Sequence, residues 1–124
     1  MARVLVVEDE PDISMMLRVM LEMRGFEVTA AGSGEEALTS IEDNMPSVLL
    51  LDLRLPGIDG WEVIDRLRDR DLLASLPVIV VSAHASPGRQ EQALAAGCYA
   101  YLTKPFRAQE LVELLEGALQ DGKE

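Results

Sequence analysis

The chain has 124 residues, of which 48% are hydrophobic and 27% charged, and this suits one globular domain with a single core. Its apolar runs are all far shorter than the roughly 20 residues that a membrane-spanning helix needs, so we expect no membrane insertion. The net charge of −11 repels phosphate backbones, so we expect no direct binding of nucleic acid by this chain. Because the first residues lack the pattern of a secretory signal, we expect a cytoplasmic protein.

The chain opens with a strand, a group of acids and a helix. Arg3–Val7 is mostly aliphatic and predicts the first strand, which Glu8 and Asp9 follow directly. Pro11 suits the first position of a helix, and Gly25 is a typical stop after its end. A five-residue stripe predicts the buried face of this helix: Ile13, Met16, Leu17, Met20 and Leu21.

Two exposed positions and a second strand and helix come next. Met15 and Val19 lie off the buried stripe, so they are candidates for a surface that docks a kinase. Residues 26–30 predict a second strand. Ser33 has a glutamate three residues later, as in a capping box, and therefore predicts the start of a second helix that Asn44–Pro46 ends.

The central strand carries the main candidate for chemistry. Residues 47–52 contain four consecutive aliphatic residues and end in the single carboxylate of Asp52, which predicts a strand buried on both faces. Ligands of open parallel sheets bind at the carboxyl ends of the strands. Asp52 is therefore the first candidate site residue. Gly57–Gly60 predicts a turn, and Trp61–Leu67 a third helix.

The last third repeats this alternation twice. Val78–Val81 predicts a fourth strand that ends at Ser82, and Ser86 before a proline predicts the N-cap of a fourth helix. Residues 98–102 predict a fifth strand, within which Cys98 is expected to be a small buried residue without a disulfide partner. Lys104 follows that strand. Six apolar residues predict the buried face of a final helix: Leu111, Val112, Leu114, Leu115, Ala118 and Leu119.

Five strands alternating with five helices predict an α/β fold, with one parallel sheet covered by helices on both faces. We expect one domain over residues 1–120 and a polar tail over residues 121–124. Parallel strands place their carboxyl ends on the same rim. Five chemically active side chains are therefore expected to converge there: Glu8, Asp9, Asp52, Ser82 and Lys104.

Three carboxylates on one rim need positive charge, because each close pair repels by roughly 4 kcal/mol at an effective dielectric constant near 20. A hard divalent cation such as Mg²⁺, with Mn²⁺ as an alternative, suits Asp9, Asp52 and a backbone carbonyl. Lys104 adds a fixed positive charge, and Ser82 adds a hydroxyl. A carboxylate in these surroundings is suited to accepting a phosphoryl group.

With these residues, the chain resembles the receiver domain of two-component response regulators over essentially its whole length. The resemblance rests on four motifs in the right order: Glu8-Asp9, Asp52 with residues 55–60, Ser82-Ala83 and residues 104–106. It implies a flavodoxin-like sheet with strand order 2-1-3-4-5. It also implies a cis peptide bond between Lys104 and Pro105.

The resemblance further implies a role for each site residue. Asp52 would be the phosphoacceptor, and Lys104 would pair with the phosphoryl group. Asp9 would bind Mg²⁺ directly, Glu8 would act through a bound water, and the carbonyl of Arg54 would complete the protein ligands. Ser82 would move towards the phosphoryl group while Tyr101 turns inward. Arg54 and His84 would flank the phosphoryl group and influence its lifetime.

The resemblance also implies partners. A histidine kinase or phosphotransfer protein would supply the phosphoryl group, and an effector domain or protein would read the change. The reading surface would be the face formed by the fourth helix, fifth strand and fifth helix, which could also form a homodimer. Whether the chain stands alone or belongs to a longer protein is left open. Arg107-Ala108 replaces a frequent capping pair, so fraying at the start of the last helix is expected.

Three other classes of protein are alternatives to this interpretation. A haloacid-dehalogenase type of enzyme needs a second acid two residues after its aspartate, where this chain has Arg54. A flavin-binding protein would not place three acids, residues 8–10, beside the phosphate of its cofactor. A receiver-like interaction module that is never phosphorylated remains the alternative.

Overall fold

The computed structural model describes residues 2–83 and 86–121. Five strands alternate with five helices. The strands are β1 (Arg3–Val7), β2 (Glu27–Ala31), β3 (Val48–Asp52), β4 (Val78–Ser82) and β5 (Ala100–Thr103). The helices are α1 (Pro11–Glu22), α2 (Gly34–Asp43), α3 (Gly60–Asp69), α4 (Pro87–Ala95) and α5 (Ala108–Asp121).

All strand pairings are parallel, and the sheet has the order β2-β1-β3-β4-β5. The predicted fold class and strand order are confirmed. β3 and β4 lie inside the sheet, and every residue of both strands is buried, as their continuous aliphatic sequences predict. This arrangement holds the end of β3 between the ends of β1 and β4.

Helices cover both faces of the sheet. Alternate strand residues such as Leu49 and Leu51 pack with apolar residues of α2, α3 and α4. Their neighbours, including Val48 and Leu50, pack with α1 and α5 on the opposite face. Because side chains alternate along a strand, one aliphatic run supplies both cores.

Two of the helices begin with side-chain caps. The Ser33 hydroxyl accepts a hydrogen bond from the Glu36 N–H at 3.1 Å, as the capping-box pattern predicts. Asp59 caps α3 in the same way, accepting from the Glu62 N–H at 2.9 Å. Ser86 occupies the N-cap of α4, but its side chain makes no capping hydrogen bond, so that part of its predicted role is wrong.

The fifth strand begins later than predicted. Gly97 has a φ of 109°, and the Cys98 N–H donates to the Ala93 carbonyl at 3.1 Å, so Cys98 belongs to the end of α4. The strand starts at Ala100. Cys98 is buried as expected, and burial raises the pKa of its thiol to about 11. β2 is also displaced by one residue relative to the predicted range.

The prediction for the methionines of α1 is partly wrong. Leu17 and Leu21 are buried and Met20 packs against the core, but Met16 is 58% exposed. Met15 and Val19 are exposed, as expected for residues off the buried stripe. The predicted stripe was therefore one residue too wide.

The C-terminal helix extends to Asp121, one residue into the predicted tail, and residues 122–124 lie outside the described residues. At its start, the Glu110 carboxylate accepts from the Arg107 N–H at 3.0 Å, which is half of a capping box. Within residues 2–83 and 86–121, no helix is long and apolar enough to cross a membrane.

Candidate functional site

Three predicted site residues meet at the carboxyl end of the sheet. Asp52 is the last residue of β3, Glu8 follows β1, and Lys104 follows β5. The Lys104 ammonium lies 2.9 Å from Asp52 Oδ2 and 3.1 Å from Glu8 Oε1. The side chains of Glu8 and Asp52 are only 3% and 10% exposed, against 25% for Lys104. One partly exposed cation therefore serves two buried carboxylates.

Backbone N–H groups hold the remaining two carboxylate oxygens. Asp52 Oδ1 accepts from the Arg54 N–H at 2.9 Å, and Glu8 Oε2 accepts from the Glu10 N–H at 3.1 Å. Each carboxylate is thus fixed by one lysine contact and one backbone contact. Such charge-assisted hydrogen bonds orient a carboxylate before any ligand arrives.

The shared lysine does not fully compensate the two acids. Burial raises the pKa of Glu8, and the neighbouring Asp52 raises it further, against the opposing effects of the Glu10 N–H and Lys104. Burial alone would lower the pKa of Lys104, but its contacts with Asp52 and Glu8 outweigh burial and raise it. An additional positive charge at the site would therefore stabilise the ionised carboxylates.

Replacing Glu8 with glutamine should flatten the dependence of stability on pH. An acid whose pKa is higher in the folded protein stabilises the fold below its unfolded pKa, here 4.5, and this contribution is lost as pH rises through the folded pKa. The free energy of unfolding, measured by urea denaturation in EDTA, should fall less between pH 4.5 and neutrality in Glu8→Gln than in wild type.

The exposed Glu116 provides the matched control. Glu116→Gln should keep the wild-type profile. Parallel profiles for wild type and Glu8→Gln would contradict the assignment of this pH dependence to Glu8.

Ser82 and Tyr101 lie on the two strands beyond β3. Ser82 ends β4, is 1% exposed, and accepts a hydrogen bond at its carbonyl from the Lys104 N–H at 2.7 Å. Tyr101 is half-buried in β5 and packs against the core on the side of α2 to α4. The Lys104–Pro105 peptide bond is cis, as the resemblance implied.

Asp9 and Arg54 are exposed residues, and Arg54 joins this contact network through its backbone N–H. His84 lies outside the described residues. Among the residues that the structure describes, no three His, Cys, Asp or Glu side chains are grouped closely enough to hold a metal ion by themselves.

The donor set nevertheless fits Mg²⁺. Asp52 and Glu8 present carboxylate oxygens within reach of one cation, the Lys104 ammonium, and Asp9 is next to Glu8 in the chain. Mg²⁺ typically uses one or two carboxylates and keeps several waters, so a complete cage of protein ligands is not needed. Two buried carboxylates share the ammonium of Lys104, so these three side chains together carry a net negative charge that a bound cation would offset.

One residue that positions the site was not singled out from the sequence. Gly60, the first residue of α3, donates its N–H to the Leu53 carbonyl at 3.0 Å. A Cβ atom at Gly60 would lie 2.6 Å from Leu53 Cα and 2.8 Å from the Asp52 carbonyl oxygen. The sequence pattern at Asp59-Gly60 predicts a turn and belongs to the motif after Asp52, and Asp59 and Glu62 also have the spacing of a helix cap.

Comparison with known proteins identifies relatives of this chain and of its fold. A family model described as "Response regulator receiver domain" matches residues 4–116. The chain is 37% identical over 121 residues to the phosphate regulon transcriptional regulatory protein PhoB of Rhizobium meliloti (strain 1021), covering 98% of this chain and 53% of that protein. The chain thus spans about half the length of this relative.

Solved structures agree with the family match. The receiver domain of the Francisella response regulator 1452 superposes with a TM-score of 0.92 at 31% identity, covering 98% of both chains. The response regulator TrrA of Thermotoga maritima, solved in complex with Mg²⁺ and BeF, has a TM-score of 0.85 at 31% identity. That match covers 96% of this chain and 100% of TrrA.

Proposed function

This chain belongs to the receiver domain family of two-component response regulators, and from that premise we propose that Asp52 accepts a phosphoryl group from a histidine kinase or phosphotransfer protein. The observation that carries the proposal is the position of Asp52. Its carboxylate is buried at the end of β3, with one oxygen on Lys104 and the other on the Arg54 N–H.

The contacts suit phosphoryl transfer. An Asp52 oxygen forms the new bond to phosphorus as the bond to the donor breaks, and the Lys104 ammonium neutralises charge on the phosphoryl oxygens. Because Glu8 also binds Lys104 at 3.1 Å, the ammonium is held beside Asp52 before the donor arrives. Preorganisation of this kind lowers the barrier without movement during the reaction.

Mg²⁺, or Mn²⁺ in its place, completes the proposed site. Asp9, Asp52 and the carbonyl of Arg54 would hold it, with Glu8 acting through a water. The ion would supply Lewis-acid neutralisation of the phosphoryl oxygens. The oxygen-only donor set supports this assignment, as does the Mg²⁺ and BeF complex of the similar protein TrrA.

Signalling would pass from Ser82 to Tyr101 and on to the face formed by α4, β5 and α5. Ser82 and Thr103 are register partners in β4 and β5, so movement at Ser82 reaches the strand that carries Tyr101. This pair would be the two-state element that reports phosphorylation to an effector domain or protein.

Homodimerisation through the same α4–β5–α5 face would be one form of output. We expect light scattering to show a larger species when BeF₃⁻ and Mg²⁺ are added, because the mimic stabilises the active arrangement of this face. An unchanged mass at saturating mimic would contradict dimerisation while leaving phosphorylation untouched.

The kinase or phosphotransfer protein would dock beside α1. A groove of about 330 Å³ runs between α1 and the segment after β5, and Met16 lines it together with Met20 and Phe106. Met15 and Val19 extend the exposed apolar surface of the same helix. Flexible methionine side chains suit such a docking surface, which also accounts for the exposure of Met16.

The proposal is tested by incubating the chain with acetyl phosphate and Mg²⁺ and measuring the intact mass. We expect the addition of one phosphoryl group, which EDTA should prevent. If no group is added by acetyl phosphate or by a phosphorylated kinase, the chain is instead an interaction module that works without phosphorylation.

Arg54→Ala should shorten the lifetime of the phosphorylated form several-fold. The Arg54 side chain is exposed, while its N–H contacts Asp52, so the side chain lies where it can obstruct the approach of hydrolytic water. The decay of the phosphorylated mass after removal of the donor measures the lifetime. An unchanged half-life in Arg54→Ala would contradict this role. Arg54→Lys keeps a long cationic side chain, so its half-life should stay close to that of wild type.

A further inference from the structure

A cleft of about 440 Å³ opens beside the phosphoacceptor, between the segment after β3 and the start of α4. Arg54, two residues after β3, and Arg89, in the first turn of α4, both line it. The half-buried Trp61 of α3 lines the same cleft. Leu53, Leu55 and Asp59 complete the lining.

The cleft concentrates positive charge in an acidic protein. Arg54 and Arg89 form no ion pair within the described residues, whereas Arg18, Arg66, Arg68 and Arg70 are each paired with an acid. Asp59 is the one acid among the described lining residues, and it caps the Glu62 N–H. Two guanidinium groups against one carboxylate leave a net positive site in a chain of charge −11.

The cleft lies next to the reacting carboxylate. Leu53 and Arg54 directly follow Asp52 and line the cleft, and the Arg54 N–H binds Asp52 Oδ1 at 2.9 Å. In phosphoryl transfer the leaving group departs roughly in line with the attacking oxygen, pointing away from it. A small donor therefore has to place its leaving group on the side of phosphorus away from Asp52, and the cleft lined by Arg54 and Arg89 begins at the residues that directly follow Asp52.

We propose that Arg54 and Arg89 form a subsite for the carboxylate leaving group of acyl phosphate donors. This inference rests on the proposed role of Asp52. An oxygen of Asp52 forms a bond to phosphorus while the bond between phosphorus and the acyl oxygen breaks. The electron pair of the broken bond stays on the acyl oxygen, which leaves as part of a carboxylate. No proton is transferred, so the developing charge can be stabilised only by cations or hydrogen-bond donors.

Donors with a nitrogen leaving group behave differently. Phosphoramidate releases a neutral amine after protonation, so it develops no negative charge for the arginines to stabilise. We therefore expect the loss of either arginine to slow the reaction with acyl phosphates more than the reaction with phosphoramidate. A simple effect of Arg54 on the folding or general reactivity of Asp52 would slow both classes equally.

The test compares initial rates of phosphorylation with acetyl phosphate, carbamoyl phosphate and phosphoramidate, measured by intact mass at constant Mg²⁺ and ionic strength. The variants are Arg54→Gln, Arg89→Gln and the double variant. Arg24→Gln is the matched control, since Arg24 is exposed, has no ion pair within the described residues and lies after α1.

Each single variant should lose roughly five- to tenfold in rate with acetyl and carbamoyl phosphate, as expected for a solvent-accessible cation beside developing charge. The rate with phosphoramidate should stay within about twofold, and Arg24→Gln should match wild type with every donor. Equal losses with all three donors, or no loss with the acyl phosphates, would overturn the subsite. Failure of wild type to react even with phosphoramidate would instead count against Asp52 as phosphoacceptor, and the subsite would fall with it.

Discussion

Asp52→Asn should abolish phosphorylation, lowering the rate with acetyl phosphate and Mg²⁺ by at least about 10³-fold, to below detection. An amide oxygen is a poor nucleophile, and the variant also removes one proposed metal ligand. The fold should survive because asparagine keeps the shape of the side chain and because Lys104 retains Glu8 as a partner at 3.1 Å. Intact mass spectrometry measures the product, and circular dichroism checks the fold.

Asp69→Asn is the control for this variant. Asp69 is an exposed aspartate and is the last residue of α3, whereas the first residue of that helix lies next to the end of β3. This variant should be phosphorylated at close to the wild-type rate. A phosphorylated Asp52→Asn protein would show that another residue accepts the group, and loss of reaction in both variants would contradict the specific role of Asp52.

Gly60→Ala should destabilise the protein by about 1–3 kcal/mol, which is the usual cost of overpacking. The added Cβ would meet Leu53 Cα at 2.6 Å and the Asp52 carbonyl oxygen at 2.8 Å. Both are backbone atoms, so α3 or the end of β3 has to move. Because that movement displaces Asp52, phosphorylation should also slow. Urea denaturation gives the free energy of unfolding.

Gly88→Ala is a matched glycine substitution in the first turn of another helix. Its Cβ would meet nothing closer than the Ser86 Oγ at 3.7 Å, so the higher helix propensity of alanine should leave stability unchanged or raise it by up to about 1 kcal/mol. If Gly60→Ala is as stable as wild type, the contact between α3 and the end of β3 is more adaptable than the structure indicates.

The sequence predicted most elements because their signals are local. A few consecutive residues are enough to recognise the aliphatic runs of β3 and β4 and the cap at Ser33. The start of β5 was misplaced because Cys98 and Tyr99 look like strand residues, whereas the Cys98 N–H closes the end of α4. Here the turn at Gly97 outweighed β propensity.

The positions of three residues on the rim of the sheet were predicted better than their contacts. Glu8, Asp52 and Lys104 were expected on one rim because parallel strands share a carboxyl edge. The expected partner of Glu8 was a metal-bound water, and the structure adds a direct ion pair with Lys104, 96 residues away along the chain. The exposure of Met16 likewise depends on which face of α1 packs against the core. The spacing of apolar residues in the sequence does not show which residue at the edge of that face is exposed.

By itself, the sequence determined the alternation of strands and helices, the full burial of β3 and the presence of a carboxylate at its end. These follow from side-chain periodicity and turn chemistry, which act between residues close in the chain. Only the tertiary structure decided that Lys104 joins Glu8 to Asp52, that Gly60 touches the backbone of Asp52, and that Arg54 and Arg89 share a cleft. Such contacts join distant residues, and they depend on how the strands and helices pack.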